Sequence, residues 1–347
     1  GLFPNAFCKI LPDFVGGDSQ YVNIMHADTA GTKTSLGYLY WKEKQSDEIW
    51  HGISQDAIVM NIDDMACVGC TSNIVLSSTI GRNKNIISGQ VVKSLIEGTN
   101  LFVDRMKDFG VDIHLAGGET ADVGDIVRTV DVGFTTFGRM PKSDLIVNNI
   151  QPGDVIVGFA SYGQASYEYK YNSGIGSNGL TLARHDVLNH QYAQQYPESF
   201  NPFIPNEAVY TGQSKLTDLI TINQQTLEVG ELLLSPTRTY LPLLAAIPSS
   251  LKKVINGIIH CTGGGQTKVL HFINQLKIIK DNLLPVPPIF ELIQNNSKTP
   301  WKEMYQVFNM GHRLEIYLPE SNAQTLIDLD HAFHIDAHII GRVEAHS

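Results

Sequence analysis

Three stretches combine residue types that could handle phosphate and a hard cation. The first is His26-Ala-Asp-Thr-Ala-Gly-Thr-Lys33, which follows the apolar run Tyr21–Met25. Gly31 would let backbone N–H groups approach a polyphosphate, Thr32 offers a hydroxyl, Lys33 supplies a point charge, and Asp28 is a candidate metal ligand. The spacing is not that of a Walker A loop, which needs Gly-x-x-x-x-Gly-Lys-Ser/Thr. The second, Gly117-Gly118-Glu119-Thr120-Ala121-Asp122, repeats the logic of a strand running into glycine, a carboxylate and a hydroxyl. The third is Cys261-Thr262-Gly263-Gly264-Gly265, after the apolar run Ile255–His260. A glycine-rich turn that enters a helix leaves free N–H groups, which suit an anion.

These stretches need elements to position them. Tyr21–Met25 reads as a buried strand, and Ile49, Ile53, Ala57 and Met60 give one apolar face to a helix from about Asp47 to Cys67. Asp63 and Asp64 close that helix, where negative charge is disfavoured by the dipole, so the pair points to a metal role. Leu76–Ile80 reads as a strand, Ser88 caps a helix running to Gly110, and Val111, Ile113 and Leu115 alternate as a further strand. Val127–Phe137 is another. The apolar pattern breaks between Met140 and Pro152, which divides the chain into residues 1–147 and 148–347. The second part opens with Val155–Phe159 and continues with a Tyr-rich segment and the turn Gly176-Ser177-Asn178-Gly179 entering a helix. Later come Ile255–His260, Leu314–Leu318 and a last strand near Ile335–Val343. The fold class expected is α/β (α+β) in two domains.

Composition narrows the function. The 347 residues are 43% hydrophobic and 17% charged, as in a soluble globular enzyme, and the net charge is −10. Such a balance argues against a general nucleic-acid surface and confines any phosphate binding to a few local groups. No apolar run approaches the ~18–20 residues that cross a bilayer, so no membrane partner is expected. The four cysteines are scattered, which fits a reducing cytoplasm, and Cys67-x-x-Cys70 stands alone without a second pair.

Taken in order, the short motifs form a set. Asp-x-x-Gly-Thr-Lys, the Asp63-Asp64 pair, Gly-Gly-Glu-Thr-Ala, Ser-Asn-Gly, Pro-Thr-Arg (236–238), Thr-Gly-Gly-Gly and Phe308-Asn-x-Gly311 resemble the phosphoribosylformylglycinamidine cyclo-ligase family of de novo purine synthesis. The likeness runs from about Asp28 to Gly311 and includes Pro287-Pro288-Ile289-Phe290 and Glu303-Met304-Tyr305. It implies two domains, the first pairing through its sheet in a homodimer with the nucleotide near that interface. It also implies ATP and Mg²⁺ as cofactors and a small nucleotide as substrate. Asp28, Gly31, Thr32, Lys33, Gly118, Glu119 and Thr120 fall on the ATP motifs, and Asp28, Asp63, Asp64 and Glu119 on or beside the metal motifs. Ser177, Asn178, Gly179, Thr262, Gly263, Gly264, Gly265 and Asn309 fall on motifs near the substrate. Asp64, Lys33 and His260 are the catalytic candidates, His260 as a proton shuttle.

The sequence departs from the pattern in places. Typical members carry His immediately before Ser-Asn-Gly, and here Gly176 stands there. Residues 163–175 form a longer Tyr-rich loop, expected to take over the contact of that His. His312 and Arg313 are bulky where the family has small residues. The same superfamily holds selenophosphate synthetases and small-molecule kinases, and a non-catalytic nucleotide-binding regulator is a reading from another class.

Overall fold

The computed structural model describes residues 2–346. Two five-stranded sheets organise these residues. In the first, β1 (Ile10–Pro12), β2 (Tyr21–Thr29), β3 (Ile74–Arg82), β4 (Ile113–Asp122) and β5 (Val130–Pro141) lie in the order β1-β2-β5-β3-β4. Only β3 and β4 run parallel. That follows from the connection between them, because a parallel pair needs a crossover and a helix of the right length supplies it. Three helices belong to this part: α1 (Lys33–Lys44), α2 (Ile49–Ala66) and α3 (Gly89–Asp108), the last being that crossover.

Helix α2 is buried on nearly every side, with Trp50, Ile53, Ala57, Ile58, Val59 and Ile62 all in the core. A helix apolar all round belongs inside a protein, against a sheet on one side and other helices on the next. Helix α1 has no counterpart in the sequence reading. Its Lys-Thr-Ser-Leu-Gly-Tyr pattern shows no clean stripe, and Gly37 reads as a breaker. In the structure a Cβ at Gly37 would stand 3.2 Å from Ile53, so the glycine lets α1 and α2 pack closely.

The second sheet contains β6 (Asp154–Ala160), β9 (Gly257–His260), β10 (Leu276–Ile279), β11 (His312–Pro319) and β12 (Ala337–Ala345), in the order β10-β12-β6-β11-β9. All its pairs are antiparallel. A separate hairpin, β7 (Leu219–Ile222) with β8 (Gln225–Glu228), lies outside it. The mixed α/β class expected from the sequence is thus the class observed. One core runs through both halves, from Trp50 and Ile62 to Phe159 and Tyr240. No described helix is long and apolar enough to cross a membrane.

The faces of the first sheet differ. Val22 and Ile24 are fully buried against the helices, whereas Met25, on the other face, is 60% exposed. Ala27 is likewise exposed beside it. The open face therefore carries apolar side chains with no layer of this chain over it.

Candidate functional site

The residues singled out by the sequence separate into a surface group and two buried groups. The surface group sits at the ends of β2 and β4, where Asp28, Gly31, Gly118, Glu119 and Thr120 are exposed. Among the described residues, the Asp28 carboxylate accepts a hydrogen bond only from the neighbouring Thr29 backbone N–H. Thr32, half-buried, shares a hydroxyl–hydroxyl hydrogen bond of 2.8 Å with Thr181. The strand register aligns Asp28 with Phe134, Ser78 and Gly118, and Thr29 with Gly133, Thr79 and Glu119. Asp28 and Glu119 therefore stand in adjacent rows, which in a pleated sheet face opposite sides, and three strand spacings of about 14 Å separate their backbones.

The first buried group corrects the reading of Lys33. Its side chain does not extend toward a surface phosphate. The fully buried ammonium donates to Asp56 Oδ1 (2.8 Å), the Gly176 carbonyl (3.0 Å) and the Ser235 carbonyl (2.7 Å). Burial lowers its pKa from the ordinary lysine value, against the pull of Asp56. Asp56 Oδ1 also accepts from the Thr237 N–H (2.7 Å), the Thr237 hydroxyl (2.6 Å) and the Ser177 hydroxyl (3.2 Å). Three motifs distant in sequence thus close on one carboxylate oxygen, from α1, from the Ser177-Asn178-Gly179 turn and from the Pro236–Arg238 segment. Gly179, at φ +78°, then starts the helix Leu180–Val187.

The second buried group is a polar chain that crosses between the sheets. Asn61 gives its amide hydrogens to the Ala57 and Asp28 carbonyls, which turns its oxygen toward His26 Nδ1 at 3.0 Å. His26 Nε2 lies 3.3 Å from Asp64 Oδ2, and His260 Nδ1 lies 2.8 Å from Asp64 Oδ1. Arg313 Nε then donates to His260 Nε2 at 3.0 Å. An arginine can only donate, so His260 Nε2 is an acceptor and Nδ1 carries the proton given to Asp64. Both ring nitrogens of the fully buried His260 are occupied. The proton-shuttle role expected of it has no free nitrogen here, and His260 instead orients Asp64.

Electrostatics follow the geometry. Burial works against ionised Asp64, but His26 and His260 outweigh it and hold the carboxyl down to about 2. Burial also works against charge on His26, yet its bonds to Asp64 and Asn61 raise its pKa above the ordinary value. Asp63 behaves differently from its neighbour. It is buried, and it accepts from the Thr239 hydroxyl and the Tyr240 N–H. Burial raises its pKa. Asp63 is thus committed to the second half of the chain and is withdrawn from the metal set. No three of Asp28, Asp63, Asp64 and Glu119 bring ligand atoms within 4.8 Å of one another.

Among the described residues, one trio of possible ligands does converge, Cys261, His312 and Glu315. There the Lys280 ammonium already pairs with Glu315, so the charge is balanced without a metal. Asn309 is also corrected. Its amide donates to the Gly174 carbonyl (2.8 Å), and its oxygen accepts from Ser161 (2.8 Å) and the Gly311 N–H (3.0 Å). It ties three loops together rather than facing a substrate. The Thr262–Gly265 turn follows His260 as expected, with Gly263 exposed, but it enters a short 3₁₀ helix, Gly265–His271.

In the Tyr-rich loop, two side chains are tied to the segment after Pro236. Tyr167 bonds the Thr239 carbonyl and Glu168 pairs with Arg238 at 2.6 Å. A Cβ on Gly176 would meet Arg313 Nη1 at 3.3 Å. The sequence reading missed three residues of this centre: Asp56, His26 and Arg313. The available signal was a carboxylate in the middle of an apolar helix, which a buried partner must offset.

Residues 13–140 match the family model described as "AIR synthase related protein, N-terminal domain". Residues 151–347 match "AIR synthase related protein, C-terminal domain". Phosphoribosylformylglycinamidine cyclo-ligase of Methanococcus vannielii is 30% identical over 292 residues, covering 83% of this chain and 70% of that one. The protein of the same name from Methanocaldococcus jannaschii is 29% identical over 326 residues, covering 93% and 79%. Among solved structures, Thermotoga maritima PurL complexed with FGAR superposes with a TM-score of 0.57 at 13% identity, over 99% of this chain and 44% of that one. AaThiL complexed with AMPPCP and TMP gives 0.51 at 13% identity, over 94% and 81%. These two show a shared fold. The matches to both domain models, which together span almost the whole chain, place it in the AIR synthase related protein family.

Proposed function

We propose that this chain is an ATP-dependent cyclo-ligase that converts formylglycinamidine ribonucleotide to aminoimidazole ribonucleotide, with release of ADP and phosphate, in purine synthesis. The observation that carries the reading is the relatedness of the chain, across both halves, to cyclo-ligases at about the same level in two archaea. In this reading residues 1–147 bind ATP and residues 148–347 bind the nucleotide substrate in a cytoplasmic enzyme.

The available groups suit that chemistry. Asp28 and Glu119 are exposed and, among the described residues, make no ion pair, and Asp64 is held ionised, so all three are hard oxygen donors fit for Mg²⁺. Those residues would hold Mg-ATP, which when bound supplies a phosphoryl group to turn the formamide oxygen into a leaving group. The chain's own part is positioning. His26 and His260 fix the Asp64 carboxylate, and in the Thr262–Gly265 turn, where the Thr262 and Gly265 N–H groups bond internally, the Gly263 and Gly264 N–H groups can meet the substrate's phosphate. The separation of Asp28 and Glu119 within one chain favours a site completed by a second copy, docked on the open face around Met25.

An isotope experiment tests the reaction. With oxygen-18 in the formyl group of the substrate, the label is expected in free phosphate, one atom for each ring closed. Retention in the organic product, or a stable phosphorylated product, would support a small-molecule kinase instead.

A further inference from the structure

A cavity of about 670 Å³ lies away from the centre just described, between the N-terminal half of α2, the C-terminal half of α3, the Tyr-rich loop and the segment from β8 to Pro236. It opens on the opposite end of α2 from Asp64, about 13 Å along the helix axis from Gln55 to Asp64. Its volume falls in the range of small-molecule sites. Of its six charged side chains, three are already spent, and among the described residues Glu48, Arg105 and Lys170 are not. Lys44 pairs with Glu228, Glu168 with Arg238, and Glu231 accepts from the Glu228 N–H.

Of Glu48, Arg105 and Lys170, Arg105 is the one that the protein holds in place. Its guanidinium donates to the Ser166 (3.0 Å) and Tyr167 (3.3 Å) carbonyls and lies 5.1 Å from the centre of the Tyr169 ring and 4.9 Å from that of Phe109. Among the described residues no carboxylate pairs with it. A cation fixed by carbonyls and aromatic rings, with its charge unanswered, is prepared for an anion. At the mouth Tyr169 is 78% exposed and Leu101 51% exposed, which leaves apolar surface for a flat ring. The Lys170 ammonium, the His51 imidazole and the Gln225 amide line the same cavity and have no side-chain partner among the described residues.

We propose that this cavity binds a flat heteroaromatic ring joined to an anionic group, of the size of a nucleoside monophosphate, at a site separate from the one proposed for ATP. The anion meets Arg105, and the ring lies against Tyr169 and Leu101. The inner wall includes Ser235, whose carbonyl holds Lys33, and Gln55, whose amide donates to the Thr237 carbonyl at 2.9 Å. An occupant would brace the segment that grips Lys33 and Asp56, so binding is expected to raise the melting temperature.

Calorimetric titration of the full chain with AMP, adenosine and ribose 5-phosphate tests this without using activity. AMP is expected to bind one per chain, and the two fragments at least about tenfold more weakly, a cost of about 1.4 kcal/mol. Arg105→Gln and Leu101→Trp should each weaken AMP by a similar factor, while Asp28→Asn leaves it unchanged. Adenosine as tight as AMP, no AMP binding at about 10 mM, or affinity indifferent to both cavity variants would overturn the proposal. So would loss of AMP binding in Asp28→Asn, which would move the ligand to the ATP site. Melting curves without ligand check both variants, and Lys170→Gln replaces either one that does not fold.

Discussion

The guanidinium of Arg313 stands 3.3 Å from where a side chain on Gly176 would begin, while its Nε bonds to His260. Gly176 and Arg313, both departures under the resemblance, are therefore neighbours in space. Gly176 also has φ +69°, which a residue with a Cβ adopts at a cost of about 1–2 kcal/mol.

Restoring histidine alone should do harm. Gly176→His is expected to lose about 2 kcal/mol or more from strain and contact with Arg313. Arg313→Ala added to it should recover part of that loss. Denaturant titrations of the wild type, both single variants and the double variant measure the coupling. Strict additivity would show that the two positions do not share the space.

Asp56→Asn leaves the Lys33 ammonium buried without a counter-charge. Removing one partner of a buried pair costs about 3–5 kcal/mol, and here the loss also weakens the links to Ser177 and Thr237. A melting temperature lowered by several degrees is expected, with partial recovery when Lys33→Met is added. An Asp56→Asn variant as stable as the wild type would remove the carboxylate as the hub between the two halves.

The Asp64 centre has a pH signature. His26 has a raised pKa, so its contribution to stability is fully present below the ordinary value of 6.5 and is lost as pH rises through the folded-state pKa. Asp64 has a lowered pKa, so its contribution is present above 3.8 and is lost as pH falls toward about 2. NMR titration should place the His26 midpoint above 6.5 in the wild type, and lower it in Asp64→Asn. Asp64→Asn is also expected to abolish turnover while costing only about 1–3 kcal/mol of stability. An unmoved His26 midpoint would contradict the contact.

Met25→Glu places a charge on the open, apolar face of the first sheet. If a second copy covers that face, sedimentation at micromolar concentration should show a dimer for the wild type and a monomer for the variant. A wild-type monomer that turns over normally would count against a shared nucleotide site.

What the sequence determined was local. Strands such as Tyr21–Met25 and Val155–Phe159, the helix that starts after Ser88, and the glycine turns at Gly31 and Gly263–Gly265 follow from periodicity and from the backbone freedom of glycine, whereas the turn expected at Gly117 is absent because β4 runs on through Gly117 and Gly118 to Asp122. The order of those motifs was enough to point to the family. Helix α1 was not legible, because its stability comes from packing Gly37 against Ile53 and Trp50 rather than from a stripe of its own. Nor could adjacency in sequence separate Asp63 from Asp64. Side chains one residue apart on a helix leave it about 100° apart, so Asp63 meets Thr239 and Tyr240 while Asp64 meets His26 and His260. The reversal of Lys33 has the same origin. Its partners lie 23, 143 and 202 residues away, and only the packing of the two halves brings those oxygens to one ammonium.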